Sequence, residues 1–133
     1  MVDPGGVTVG QIESFESLQG YQAARTVRIR ASEFCKTLPR DERYRLVDQR
    51  LRASRSVTAN IAEGYGRHHH QENLQYLRQT RGSLYETLEH YQTALDESLL
   101  EPHEQESRKA EIVSAIRLLN GYIRYIKSCT TKT

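Results

Sequence analysis

The chain has 133 residues, 37% hydrophobic and 27% charged, with a formal net charge of +2. That length suits one domain able to bury a real core, and no apolar run approaches the ~18 residues of a membrane span. Cys35 and Cys129 are the only cysteines; two make neither a disulfide framework nor a zinc set, so reduced thiols in the cytoplasm are the default.

Residues 1–14 lack the basic start and long apolar segment of a signal peptide. With Asp3-Pro4-Gly5-Gly6 they read as a disordered leader. A first helix is predicted over 17–38, where Ala24, Val27, Ala31, Phe34 and Leu38 recur at spacings of 3 and 4. Pro39 ends it, because the residue before a proline is pushed out of helical geometry. Asp41 is a good N-cap for a second helix, which carries Val47, Leu51, Ser54, Thr58, Ile61 and Tyr65 on one stripe. Gly64 and Gly66 supply the permissive backbone of its C-terminal cap.

The third helix, 69–98, is the clearest. Leu74, Leu77, Arg81, Leu84, Leu88, Tyr91 and Leu95 alternate at 3 and 4, the seam of a bundle or coiled coil. Pro102 suits the first turn of a fourth helix, whose seam is Ile112, Ile116, Leu119, Ile123 and Ile126. The connections are short, so successive helices are antiparallel neighbours. The expected fold is all-α, an up-down-up-down four-helix bundle over 15–129 with a frayed tail at 130–133. In that topology Cys35 and Cys129 end at opposite poles and stay free thiols.

Charge is unevenly spread. From Arg25 to Arg81 there are 13 Lys and Arg against 6 Asp and Glu, or +7. A segment of that kind attracts phosphates or acidic partners. The candidates for nucleic-acid contact are Arg50, Arg52, Arg55, Arg67, Arg78 and Arg81. No zinc finger or helix-turn-helix pattern accompanies them, so contact would be to phosphates and not to base edges.

Catalytic and metal chemistry have little to stand on. His68, His69 and His70 are adjacent, about 100° apart on a helix, and cannot face one ion together. Glu86 and His90 sit at i, i+4, a spacing common on ordinary helix surfaces. No phosphate loop or nucleophile elbow is present. No catalytic residue, metal or cofactor is expected. The more informative polar set lies on the second helix, where Gln49, Ala53, Ser56, Asn60 and Glu63 form a second stripe of small and polar groups. Together with Ser83 and Glu86, and with Gly82 permitting close approach, Gln49, Asn60 and Glu63 read as a structural polar network, buried or at a subunit contact. Arg81, at a seam position, would pair with Glu63 or Glu86. Eight tyrosines and no tryptophan suit half-buried and interfacial sites.

Several of these residues fall into a recognisable order. Phe15-Glu16-Ser17-Leu18, Leu38-Pro39 followed by Glu42-Arg43-Tyr44, Gln49 with Arg52-Ala53 and Ser56, then Ala59-Asn60-Ile61-Ala62-Glu63-Gly64-Tyr65-Gly66-Arg67 and Arg81-Gly82-Ser83-Leu84 appear in turn. The chain resembles, over residues 15–100, the four-helix-bundle family encoded in intervening sequences of bacterial 23S rRNA genes, among other places. The resemblance implies a cytoplasmic, non-enzymatic bundle that assembles into a ring, typically a homopentamer. A related group, the accessory variability proteins of diversity-generating retroelements, forms basic barrels that bind a reverse transcriptase and nucleic acid. The expectation is therefore a homo-oligomeric interaction scaffold, with RNA or DNA and a reverse transcriptase-like protein as candidate partners and no membrane role. The alternative is a ring that binds only protein.

Overall fold

A computed structural model describes residues 15–45 and 47–131, the side chains of 43–45, 130 and 131 excepted. The expected leader, 1–14, lies outside the described residues, as do 46, 132 and 133. A 3-10 turn, Phe15–Ser17, leads into α1 (Gln19–Lys36). The second expected helix is described as α2 (Arg40–Arg45) and α3 (Val47–Gly66), on either side of residue 46. They are followed by α4 (His70–Asp96) and α5 (Pro102–Thr131), so helical backbone continues into the expected tail as far as Thr131.

The four long helices form a four-helix bundle. Helix α1 packs on α3 and α5, and α4 packs on the same two. Chain neighbours are thus space neighbours, as short antiparallel connections require. Across the diagonal, Phe34 of α1 meets Tyr91 of α4 with ring centroids 5.4 Å apart. The core runs from Leu18 and Ile123 at one end to Phe34, Leu38 and Leu100.

Each boundary has a local cause. Thr37 closes α1, its hydroxyl donating to the Phe34 carbonyl at 2.7 Å. Pro102 opens α5 at the position where its missing N–H costs nothing. After α4, Ser98 takes a left-handed φ of 62°. The following Leu99 N–H then reaches back to the Ala94 carbonyl at 2.8 Å, and Leu100 turns into the core. After α3 the left-handed residue is His68, at φ 53°, not either glycine of the expected cap. Gly64 serves a different purpose. A Cβ there would lie 2.7 Å from Asn73 Oδ1 and 2.8 Å from Tyr76 Cβ, so its lack of a side chain lets α3 and α4 touch.

The core faces differ from the sequence expectation in instructive places. On α4, Arg81 is only half-buried, while Thr80 and Thr87 are fully inside with Leu77, Leu84 and Tyr91. Each threonine hydroxyl bonds the carbonyl one turn back, Tyr76 at 3.2 Å and Thr87's partner Ser83 at 2.8 Å. A satisfied hydroxyl can be buried cheaply. On α3 the expected Ser54, Thr58 and Ile61 are buried, joined by Arg50, Ala53, Val57 and Gly64, while Leu51 and Tyr65 are only half-buried. Gly82 faces solvent with nothing near its missing Cβ, so it does not mediate helix approach.

Candidate functional site

Helical spacing decides which charged groups share a surface. On α1, Arg25, Arg28, Ser32 and Lys36 advance by 3, 4 and 4 and lie on one face. On α3, Arg55 projects toward that face. Between them runs an open groove of about 190 Å³, lined by Arg28, Ile29, Ser32, Leu51, Ser54 and Arg55. Arg25, Lys36 and Arg55 are exposed and Arg28 is half-buried. Neither Arg28 nor Arg55 has an ion-pair partner among the described residues, where Arg30 pairs with Glu111, Arg67 with Glu63 and Arg108 with Glu104. The groove therefore offers two uncommitted guanidinium forks over a floor of Ile29, Leu51, Ser32 and Ser54, with further positive charge along α1. Forks of this kind match phosphate geometry.

A second groove, of about 230 Å³, lies between α3 and α4 and is lined by Gln49, Arg52, Ala53, Ser56 and Glu86. Arg52 opens there, one helical step from Arg55. Because Glu86 shares its lining, this groove is of mixed charge.

The remaining expected contact residues are dispersed. Arg78 is exposed on α4. Arg67 is exposed but engaged, donating to Glu63 at 2.7 Å and to the Tyr76 hydroxyl at 3.0 Å, with its guanidinium 5.5 Å from the Tyr76 ring centre. Arg81 turns to α5 and donates to Asn120 Oδ1 at 2.9 Å, not to Glu63 or Glu86. Arg50 is buried, 4% exposed, and belongs to no exposed basic surface. The reason is register: position 50 falls on the same face of α3 as 53, 57 and 61.

Within the chain, the expected polar network is not a buried unit. Gln49, Glu63 and Glu86 are exposed. Asn60 is half-buried, and its amide donates to the Ser56 carbonyl of its own helix at 2.9 Å. The link across helices is Ser56 to Ser83, hydroxyl to hydroxyl at 2.6 Å. Glu86 and His90 approach to 3.7 Å, too far for a hydrogen bond.

A group of buried and half-buried ionisable side chains lies toward the C-terminal end of α4. Arg108 of α5 lies between Phe34 and Tyr91, its guanidinium 5.1 Å from each ring centre. It also donates to the Tyr91 hydroxyl at 3.1 Å. Burial raises the Tyr91 pKa, against the opposing pull of Arg108. Burial likewise raises the Cys35 thiol, against Arg50 and Arg55. Both cysteines are free, Cys35 buried and Cys129 half-buried. Among the described residues no cluster of three His, Cys, Asp or Glu could hold a metal ion, and no helix is long and apolar enough to cross a membrane.

Sequence reasoning passed over Arg25, Arg28 and Lys36 as site residues. The 3, 4, 4 spacing was the available signal, but only the α1/α3 packing shows that Arg55 faces them. Comparison with curated proteins finds no match. The sequence profile of the 23S rRNA-intervening sequence protein family matches residues 16–121, most of the bundle, and the chain belongs to that family.

Proposed function

We propose that this protein is a non-enzymatic, homo-oligomeric interaction scaffold of the cytoplasm that also contacts RNA or DNA through phosphates. The observation that carries the nucleic-acid part is the α1/α3 groove, where Arg28 and Arg55 stand without carboxylate partners beside Arg25 and Lys36. Arg52 and Arg78 add exposed positive charge on other faces. Contacts of this kind hold a backbone without reading sequence. Each copy binds weakly, and an assembly repeats the groove so that the contacts add. The test is a titration with single-stranded RNA and DNA at low and physiological salt.

The assembly we propose is a ring, a pentamer by family resemblance. Tyr85 supports a protein-facing surface on α4: it is 56% exposed, one turn from the open Gly82. Tyrosine in such a setting gives contact area at low entropy cost. A cyclic ring of odd number needs one face of a copy against a different face of the next. Sedimentation equilibrium at micromolar concentration tests it. We expect a mass several times the 15.4 kDa of one chain, and a monomer at every concentration contradicts the ring. An assembly that ignores nucleic acid would favour a scaffold for protein partners alone, with a reverse transcriptase-like protein among the candidates.

A further inference from the structure

Arg50 is a costly residue to bury. It is 4% exposed, and its Nε, Nη1 and Nη2 are all buried without a hydrogen-bond partner among the described residues. None of the ion pairs there includes it. A guanidinium stays charged under any condition a fold survives. An uncompensated buried charge is strongly destabilising, so a compensating group has to face it.

The surroundings indicate what fits. A cavity of about 10 Å³ adjoins Arg50, and Ala31, Phe34, Cys35, Thr87, His90 and Tyr91 complete a mostly apolar wall. That is room for the centre of one water-sized sphere. It excludes phosphate, carboxylate ligands and nucleotides. His90 Nε2 is also buried without a hydrogen bond. The Thr87 hydroxyl already donates to the Ser83 carbonyl. Arg50, on the wall of the void, thus carries unused donors and a fixed positive charge. A single water would accept one or two of the hydrogen bonds but leave the charge uncompensated. A monatomic anion answers both needs and is only slightly larger than a water molecule.

We propose that this cavity binds a small monovalent anion of chloride size, held by Arg50 and flanked by His90, as a structural ion joining α1, α3 and α4. Two measurements test it. The intact protein is unfolded in sodium gluconate with chloride substituted stepwise at constant ionic strength. Crystals of the wild type grown in bromide are measured at the bromine absorption edge. Once chloride exceeds its dissociation constant, each further tenfold should raise the folding equilibrium constant by up to tenfold, as binding to the folded state alone requires. Arg50→Met should abolish that dependence, and an anomalous peak should lie against Arg50. The proposal is overturned by stability that ignores chloride, or by an equal chloride response in Arg50→Met. It is also overturned by a map with no anomalous peak there, including one in which Glu42, whose Oε1 is likewise buried and unpartnered, has swung onto Arg50. If Arg50→Met does not fold, the wild-type map decides alone.

Discussion

Gly64 of α3 and Asn73 of α4 are in contact at a distance that only glycine allows: a Cβ at 64 would sit 2.7 Å from Asn73 Oδ1. Tyr76 Cβ, at 2.8 Å, is the second obstacle, and it cannot rotate away. Gly64→Ala gains helix propensity of about 1 kcal/mol but forces α4 outward, so we expect net destabilisation of about 1–3 kcal/mol. Gly82→Ala is the contrast. That residue is mid-helix, exposed and unobstructed, so it should gain up to about 1 kcal/mol. Urea melts of the two variants should move in opposite directions.

Arg108 ties α5 to α1 and α4. It stacks on Phe34 and Tyr91, and it donates to the Arg30 carbonyl at 3.3 Å as well as to the Tyr91 hydroxyl. Its side chain is 12% exposed, so these contacts are little screened. Arg108→Ala should cost about 2–4 kcal/mol. Arg108→Lys should recover only part, because an ammonium lacks the planar fork that meets both rings and both oxygens. Denaturant titration of the two variants checks the order.

His90 links stability to pH. Burial lowers its pKa from the ordinary 6.5, and Arg50 adds to the lowering, while Glu86 and Glu89 oppose it. The unfolded chain therefore takes up the proton first as pH falls. The contribution of His90 is full above about 6.5 and is lost as pH drops from there through the lower folded value. Melting temperatures measured from pH 8 to 5 in gluconate, which keeps halide out of the cavity, should decline over that window. His90→Gln should flatten the decline.

Much of the fold was legible because each long helix carries its own periodic signal. The leucine seam of α4 and the proline opening α5 placed both helices within about two residues. What periodicity could not show was which side of each seam faces which neighbour. Thr80 and Thr87 can lie inside because their hydroxyls are satisfied by their own helix. Arg81 looked like a core intruder, yet it reaches Asn120, 39 residues away, a pairing that spacing alone cannot reveal. Arg50 sat in core register all along, at 50, 53, 57 and 61. A charged side chain at such a position is read as outward unless the packing shows otherwise. The basic groove was half legible: Arg55 stood out, whereas Arg28 joins it only when α1 and α3 are laid together.

The most direct test of the proposed role is a fluorescence-anisotropy titration of labelled single-stranded RNA and DNA with the wild type and with Arg28→Ala/Arg55→Ala. Far-UV circular dichroism would confirm that the variant is folded. Both substituted side chains lie at the groove surface, so the helices should persist. We predict weak binding to both polymers at low salt, with little sequence preference. Affinity should fall steeply with salt as condensed counterions are released. The double variant should bind less tightly and show a shallower salt slope, by about 1–2 units of log K per log salt for two lost phosphate contacts. Absence of binding by the wild type even at low salt, or a double variant with the same affinity and slope, would contradict nucleic-acid contact through the α1/α3 groove.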